Sequence, residues 1–156
     1  MKTFVVLSDS HGKRARIEKL RPLFSENDFI VHLGDGSADM RDVFSEYPQK
    51  TYIMKGNCDF SYGAEECVIQ AEERSILCCH GHKYGVKSGL GRLVARAKEL
   101  GCEVALYGHT HRAKVEEIDG VLCVNPGAAG SYTEPSYCYL VVHQDKATAT
   151  IVSLLS

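Results

Sequence analysis

The chain has 156 residues, 44% of them hydrophobic and 24% charged, a length that predicts one domain over residues 1–156 able to bury roughly two thirds of its unfolded surface without staples. A formal net charge of −2 and a pI near 6.4 give no electrostatic case for a nucleic-acid or membrane partner. No apolar run approaches the ~20 residues that span a bilayer.

Short apolar runs rich in branched side chains and bounded by glycine read as buried strands, and five of them end on a polar motif. Residues 4–7 lead into Asp9-Ser10-His11 and begin so near Met1 that no signal peptide is expected. Residues 14–25 set Ile17, Leu20, Leu23 and Phe24 at helical spacing, and Pro22 predicts a kink or an earlier helix end. Phe29-Ile30-Val31 leads to Gly34-Asp35, a shorter helix covers residues 38–47, and Tyr52-Ile53-Met54 precedes Gly56-Asn57-Cys58-Asp59. Residues 76–79 lead to His80-Gly81-His82, and a helix over residues 90–100 is stopped by Gly101 in the C-cap position. The fifth run, residues 104–107, meets Gly108-His109-Thr110-His111.

This alternation of strand and helix argues for parallel βαβ units. Beyond it, residues 114–118 and 121–124 flank Asp119-Gly120, a hairpin with type I′ turn chemistry. Residues 137–143 and 147–155 add two strands, and the apolar end of the last, residues 151–155, is a candidate pairing edge. Two sheets with helices on their outer faces accommodate both halves. In open α/β sheets the ligand crevice lies beyond the carboxyl ends of the strands, so the polar tails of parallel neighbours are expected to converge.

Converged, the tails would offer two aspartates, one asparagine and four histidines: Asp9, His11, Asp35, Asn57, His80, His109 and His111. Nitrogen and oxygen donors without a thiolate suit borderline divalent ions such as manganese, iron or zinc, and do not choose among them. A carboxylate such as Asp35 can be shared between two cations. His109 and His111 would point in opposite directions in extended chain, which suits two different ions or a turn that brings both to one. Of the seven cysteines, none forms a C-x-x-C pair, and Cys67, Cys78, Cys79, Cys102, Cys123 and Cys138 lie in or beside apolar runs, where a free thiol acts as a small hydrophobe. Cys78 and Cys79 are expected to face opposite layers. Free thiols without a secretory signal predict the cytoplasm.

The ordered series Asp9-x-His11, Gly34-Asp35, Gly56-Asn57-x-Asp59, His80-Gly81, Gly108-His109-Thr110-His111 resembles the calcineurin-like metallophosphoesterase superfamily. The short length and the Gly-Asn-Cys-Asp form resemble its small bacterial and archaeal phosphodiesterase branch, and Asn125-Pro126-Gly127-Ala128 matches a further loop of that branch. The resemblance implies an α/β fold, a four-layer αββα sandwich of two mixed β-sheets flanked by helices. It also implies two divalent metal ions, manganese first and iron, nickel or zinc as alternatives. Asp9, His11 and His111 would hold one, Asn57, His80 and His109 the other, and Asp35 would bridge them, with a metal-bridging hydroxide as nucleophile.

Three more residues are candidates for catalysis. Asp59 would sit behind the ligands, accepting a hydrogen bond or fixing the Asn57 loop. Cys58 stands where many larger family members carry histidine, and a thiol with an ordinary pKa near ~8.5 is a weaker general acid than imidazole. His82 is the candidate to take over phosphate contact or proton donation. The implied activity is hydrolysis of a small phosphodiester in preference to a monoester. The alternative is a protein-binding scaffold of the same fold, as the small retromer subunit of eukaryotes is; a nuclease ranks last. Loops 61–66, 83–89 and 128–136, rich in Gly, Ser and Tyr, would set selectivity, and a homo-oligomer is left open. His32 is read as a packed, hydrogen-bonded core residue, His143 as a surface residue, and Lys13, Arg14, Arg16, Lys19 and Arg21 as a solvated helix face.

Overall fold

Strand β1 (Lys2–Leu7) is apolar on both faces because both faces are covered. Phe4 and Val6 point into one buried cluster, Val5 and Leu7 into another. The computed structural model describes residues 1–60 and 62–155. In it β1 pairs in parallel with β2 (Phe29–His32), and β2 with β3 (Thr51–Ile53). On its other side β1 pairs antiparallel with β9 (Ser136–His143), and β10 (Lys146–Ser153) closes that edge, giving the order β10-β9-β1-β2-β3.

The second sheet has the order β4-β5-β6-β8-β7. Its parallel centre is β5 (Arg74–Cys79), β6 (Val104–Leu106) and β8 (Val121–Asn125), flanked antiparallel by β4 (Glu66–Ala71) and β7 (Lys114–Ile118). The sheets pack through Phe4, Val6, Val31 and Leu140 of one and Ile76, Cys78, Leu106 and Val124 of the other, all fully buried. Each large side chain buried this way contributes roughly 1.5–3 kcal/mol before entropy is counted. Helices α1 (Arg14–Glu18), α2 (Arg21–Glu26) and α3 (Arg41–Glu46) cover the outer face of the first sheet through Ile17, Phe24 and Val43. Helix α4 (Gly91–Glu99) covers the second through Leu93, Val94 and Ala97. The result is the four-layer αββα sandwich, with Cys78 in the central layer and Cys79 under α4.

Three local expectations change. Residues 14–25 form two short helices, broken at Lys19–Leu20, with Pro22 in the first turn of α2, where its missing N–H costs nothing. The helix expected over 38–47 opens as a 3₁₀ turn (Ser37–Met40) before α3. The loop expected over 61–66 runs directly into a further strand, β4, which begins at Glu66. Its side chains alternate: Cys67, Ile69 and Ala71 face the core, while Val68 and Gln70 face out. Ser61, in that loop, lies outside the described residues. The Asp119-Gly120 hairpin forms with positive φ at both turn residues, 50° and 83°, and Gly101 ends α4 at φ +72°.

Candidate metal centre

The parallel strands of both sheets end at the same edge of the sandwich, so their polar tails meet there from two sheets and not from one. Backbone bonds tie the tails together: Asp9 N–H donates to Gly34 O at 2.9 Å, His11 N–H to Asp35 O at 3.1 Å, and Gly108 N–H to His80 O at 2.9 Å. Among the described residues, eight besides glycine have positive φ. Glu72, Asp119 and Gln144 sit in hairpin turns; the other five are Asp9, His11, Asp35, His109 and His111. A left-handed residue of this kind costs on the order of 1–3 kcal/mol and persists where its surroundings over-determine it. Here the turn folds both His109 and His111 inward, although two residues apart in extended chain they would diverge.

Asp9, His11 and His111 bring together ligand atoms that all lie within 4.8 Å of one another, as do Asp35, His80 and His109, and also His11, Asp35 and Cys58. In the first group Asp9 Oδ1 is 3.2 Å from His111 Nε2 and 3.6 Å from His11 Nε2. Asp9 is fully buried. Its Oδ2 accepts from Ser8 Oγ at 2.6 Å and from the His109 N–H at 3.1 Å, whereas Oδ1 has no hydrogen-bond partner. A buried carboxylate oxygen without a donor is costly unless something positive meets it.

In the second group His80 Nδ1 faces Leu33 O at 2.9 Å. A carbonyl only accepts, so Nδ1 carries the proton and the neutral ring turns the Nε2 lone pair inward. That lone pair meets Asn57 Oδ1 at 2.9 Å, His109 Nδ1 at 3.2 Å and Asp35 Oδ2 at 3.3 Å. Asp35 Oδ2 also lies 3.9 Å from His11 Nε2, so one oxygen borders both groups, while Asp35 Oδ1 accepts the Cys58 N–H at 2.8 Å. Acceptors facing acceptors at this range repel unless a cation or a proton lies among them. Donors bound at ~2.1 Å in a tetrahedral array are roughly 3.4 Å apart, and the separations here fit that.

The titration behaviour carries the same demand. Burial pushes the Asp35 carboxyl up, but His80 and the Cys58 amide outweigh it and leave it well below the usual carboxylate range. Hydrogen bonding to Asp9 holds His11 above the ordinary imidazole value. Burial lowers His80, and the Asp35 carboxylate outweighs burial and raises it.

Asp59, counted among the catalytic candidates, turns its carboxylate onto backbone. Oδ2 accepts from Asp35 and Gly56 N–H, both at 2.8 Å, and Oδ1 from Gly36 at 3.0 Å and Ser37 at 3.1 Å. It clamps the Asp35 loop to the Asn57 loop. Cys58 is exposed; slight desolvation of its thiol beside the loop and the nearby Asp35 charge push its pKa up, keeping it protonated. The His82 ring lies 5.3 Å from His80 and 6.1 Å from His109, with Nδ1 buried and unpartnered; burial lowers its pKa, and His80 and Lys83 add to that.

Further residues support the ligands from behind, and of these the sequence marks His32 alone, as a hydrogen-bonded core residue. His32 is fully buried; Gly34 N–H donates to its Nδ1 at 3.1 Å, so Nε2–H donates to Ser10 Oγ at 2.9 Å, and Ser10 donates to Asp39 at 2.8 Å. Asn125, expected in a loop and found at the end of β8, donates to Gly108 O at 3.2 Å and Thr110 Oγ1 at 2.9 Å, fixing the His109 loop. The expectation of a solvated basic face holds for the exposed Arg14 and Lys19 and is corrected for the rest: Arg16 donates to the Ala129 and Ser131 carbonyls, Arg21 pairs with Glu18 and Glu46, and Lys13 lies over Tyr132. The available signal was burial of polar residues, which only the folded chain reveals.

Known proteins share this architecture. The profile of the calcineurin-like phosphoesterase superfamily domain matches residues 1–147. The chain is 35% identical over 150 residues to the probable metallophosphoesterase YsnB of Bacillus subtilis, covering 92% of this chain and 86% of that one. It is 25% identical to the phosphodiesterase YfcE of Escherichia coli K12, over 82% of this chain and 79% of that one. A predicted phosphoesterase structure from Streptococcus pneumoniae superposes with a TM-score of 0.83 at 26% identity, covering 98% of this chain and 90% of that one. Vacuolar Protein Sorting 29 from Cryptosporidium parvum shares the fold at a TM-score of 0.79 and 19% identity, over 97% of each chain. With an αββα sandwich that ends its strands on this donor set, and a superfamily profile covering nearly its whole length, the chain belongs to the calcineurin-like phosphoesterase superfamily.

Proposed function

We propose that residues 1–156 form one catalytic domain that hydrolyses small phosphodiesters in the cytoplasm at a centre of two divalent cations, manganese first among them. Asp9, His11 and His111 would hold one ion, Asn57, His80 and His109 the other, and Asp35 both. The observation that carries this is the pair of acceptor clusters sharing Asp35 Oδ2, 3.3 Å from His80 Nε2 and 3.9 Å from His11 Nε2.

When bound, the cations would lower the pKa of an attacking water and neutralise charge on the phosphoryl oxygens. The chain supplies the rest. Leu33 O holds the His80 ring in the tautomer that presents Nε2, and Asp59 holds the two loops in register. The protonated Cys58 thiol is a weak donor toward a leaving oxygen, and His82 stands beside the cluster as the second candidate for phosphate contact. The preference for diesters rests on relatives named phosphodiesterases, such as YfcE, and on Cys58. The likeness to Vacuolar Protein Sorting 29 extends to fold alone, and the complete donor set favours an enzyme over a protein-binding scaffold.

The test is turnover of bis-p-nitrophenyl phosphate against p-nitrophenyl phosphate with manganese, iron, nickel and zinc. Faster diester hydrolysis, abolished in Asp35→Asn, is expected. No turnover with any metal, or an unchanged Asp35→Asn rate, overturns the proposal.

A further inference from the structure

A 560 Å³ cleft opens on the first half of the centre, lined by Asp9, His11 and His111 together with Lys13, Ser131 and Tyr132. Tyr132 is 85% exposed, unusual for an aromatic side chain, yet its backbone is firmly held. Ala129 N–H donates to Ser8 O at 2.8 Å and Gly130 N–H to Asp9 O at 3.0 Å, which ties the loop to the Asp9 turn itself. Gly130 is required there, since a Cβ would meet Ser10 O at 2.5 Å. Arg16 Nη1 grips the carbonyls of Ala129 at 3.0 Å and Ser131 at 2.8 Å. Ser131 Oγ accepts the N–H groups of Thr133 at 3.3 Å and Glu134 at 3.1 Å, closing a tight turn around Tyr132. Lys13 Nζ sits 3.2 Å over the ring centroid, so one face is taken by a cation and the high exposure leaves the other to solvent.

We propose that Tyr132 is a stacking platform for a nucleobase on the non-leaving arm of the phosphodiester, with Lys13 drawing the anionic phosphoryl group toward the cleft. This assignment rests on the phosphodiesterase reading of the same centre. A preordered aromatic loses little freedom on binding, and stacking of a base on such a ring is sequence-tolerant and of useful strength. The ring reads planarity and not a particular base, since it brings no hydrogen-bond code to the base edge.

The test uses two diesters with the same leaving group, p-nitrophenyl thymidine 5′-phosphate and methyl p-nitrophenyl phosphate. Tyr132→Ala should raise KM for the first about 10-fold, the range of one stacked base, leave its kcat, and leave both constants for the second. Tyr132→Phe should behave as the wild type. An equal effect on both substrates, or on neither, overturns the platform. Equilibrium dialysis of p-nitrophenyl thymidine 5′-phosphate against wild type and Tyr132→Ala reads the same contact without turnover. If the wild type hydrolyses neither diester, the phosphodiesterase reading falls, while a 10-fold weaker Kd in the variant upholds the platform and an unchanged Kd overturns it.

Discussion

Asp59 Oδ2 accepts the backbone N–H of Asp35 at 2.8 Å, so a carboxylate that points away from the centre fixes the one that borders both halves of it. Burial raises the Asp59 carboxyl, but the amides of Gly56, Gly36, Asp35 and Ser37 outweigh it and hold it below its usual value. Removing the side chain leaves these donors unpaired and the Asp35 turn unsupported.

Asp59→Ala is therefore expected to weaken metal affinity about 10–100-fold, the usual effect of losing a group that orients ligands, and to lower kcat in step. Asp59→Asn, which keeps one acceptor oxygen, should fall between. Calorimetric titration with manganese checks both; an unchanged affinity in Asp59→Ala would mean that the clamp is dispensable.

Metal should stabilise the fold because the clusters of facing acceptors are assembled only in the folded chain. At 100 times Kd the gain is about 2.7 kcal/mol, or roughly 5–10 °C in Tm for a chain of this size. Thermal scans of chelated protein with increasing manganese should trace a saturating rise. The rise should shrink in Asp9→Asn, where the orphaned Oδ1 no longer carries charge and one of the two ions loses its carboxylate.

His32 makes stability depend on pH. Burial lowers its pKa from 6.5 to about 4, so between these values the unfolded chain binds a proton that the folded chain refuses. Stability from this residue is complete above pH 6.5 and declines as pH falls to 4, by on the order of 3 kcal/mol. The raised His11 and His80 work in the opposite direction, so the quantity to measure is the difference between wild type and His32→Gln. The urea midpoint should fall between pH 7 and 5 more steeply in the wild type. Equal slopes would mean that His32 takes up its proton without loss of the Gly34 bond.

Two glycines separate packing at the site from backbone freedom. A Cβ on Gly56 would lie 2.1 Å from Asp35 Oδ1 and 2.4 Å from Asp35 N, so Gly56→Ala must displace the shared carboxylate. Activity is expected to drop by more than about 100-fold, given how steeply catalysis depends on placement. Gly91→Ala, at the first residue of α4 with nothing within 4 Å, should be neutral or stabilise by about 0.5–1 kcal/mol. Activity assays and urea melts on the pair make the contrast.

The amino-acid sequence by itself determined the local matters. Apolar runs ending on polar turns marked the strands and their tails, Gly101 marked the end of α4, and Asp119-Gly120 marked the β7–β8 turn, because each depends on neighbours within a few residues. His32 was legible as a core residue for the same reason, sitting at the end of a continuous apolar run. β4 escaped because its core face carries only Cys67, Ile69 and Ala71, too weak a pattern beside its acidic turn, and becomes a strand by pairing with β5.

The tertiary structure alone decided that the tails come from two sheets, since strand partners are chosen by hydrogen bonds and packing between segments far apart in the chain. It also decided the left-handed turns at Asp9, His11, Asp35, His109 and His111. No residue type there prefers that backbone strongly enough to adopt it alone, and bonds such as His11 N–H to Asp35 O and Gly130 N–H to Asp9 O impose it from outside. The roles of Asp59, Ser10, Asn125 and Arg16 follow from the same cause: a buried or clamped polar group is defined by what surrounds it, and those surroundings exist only once the chain has folded.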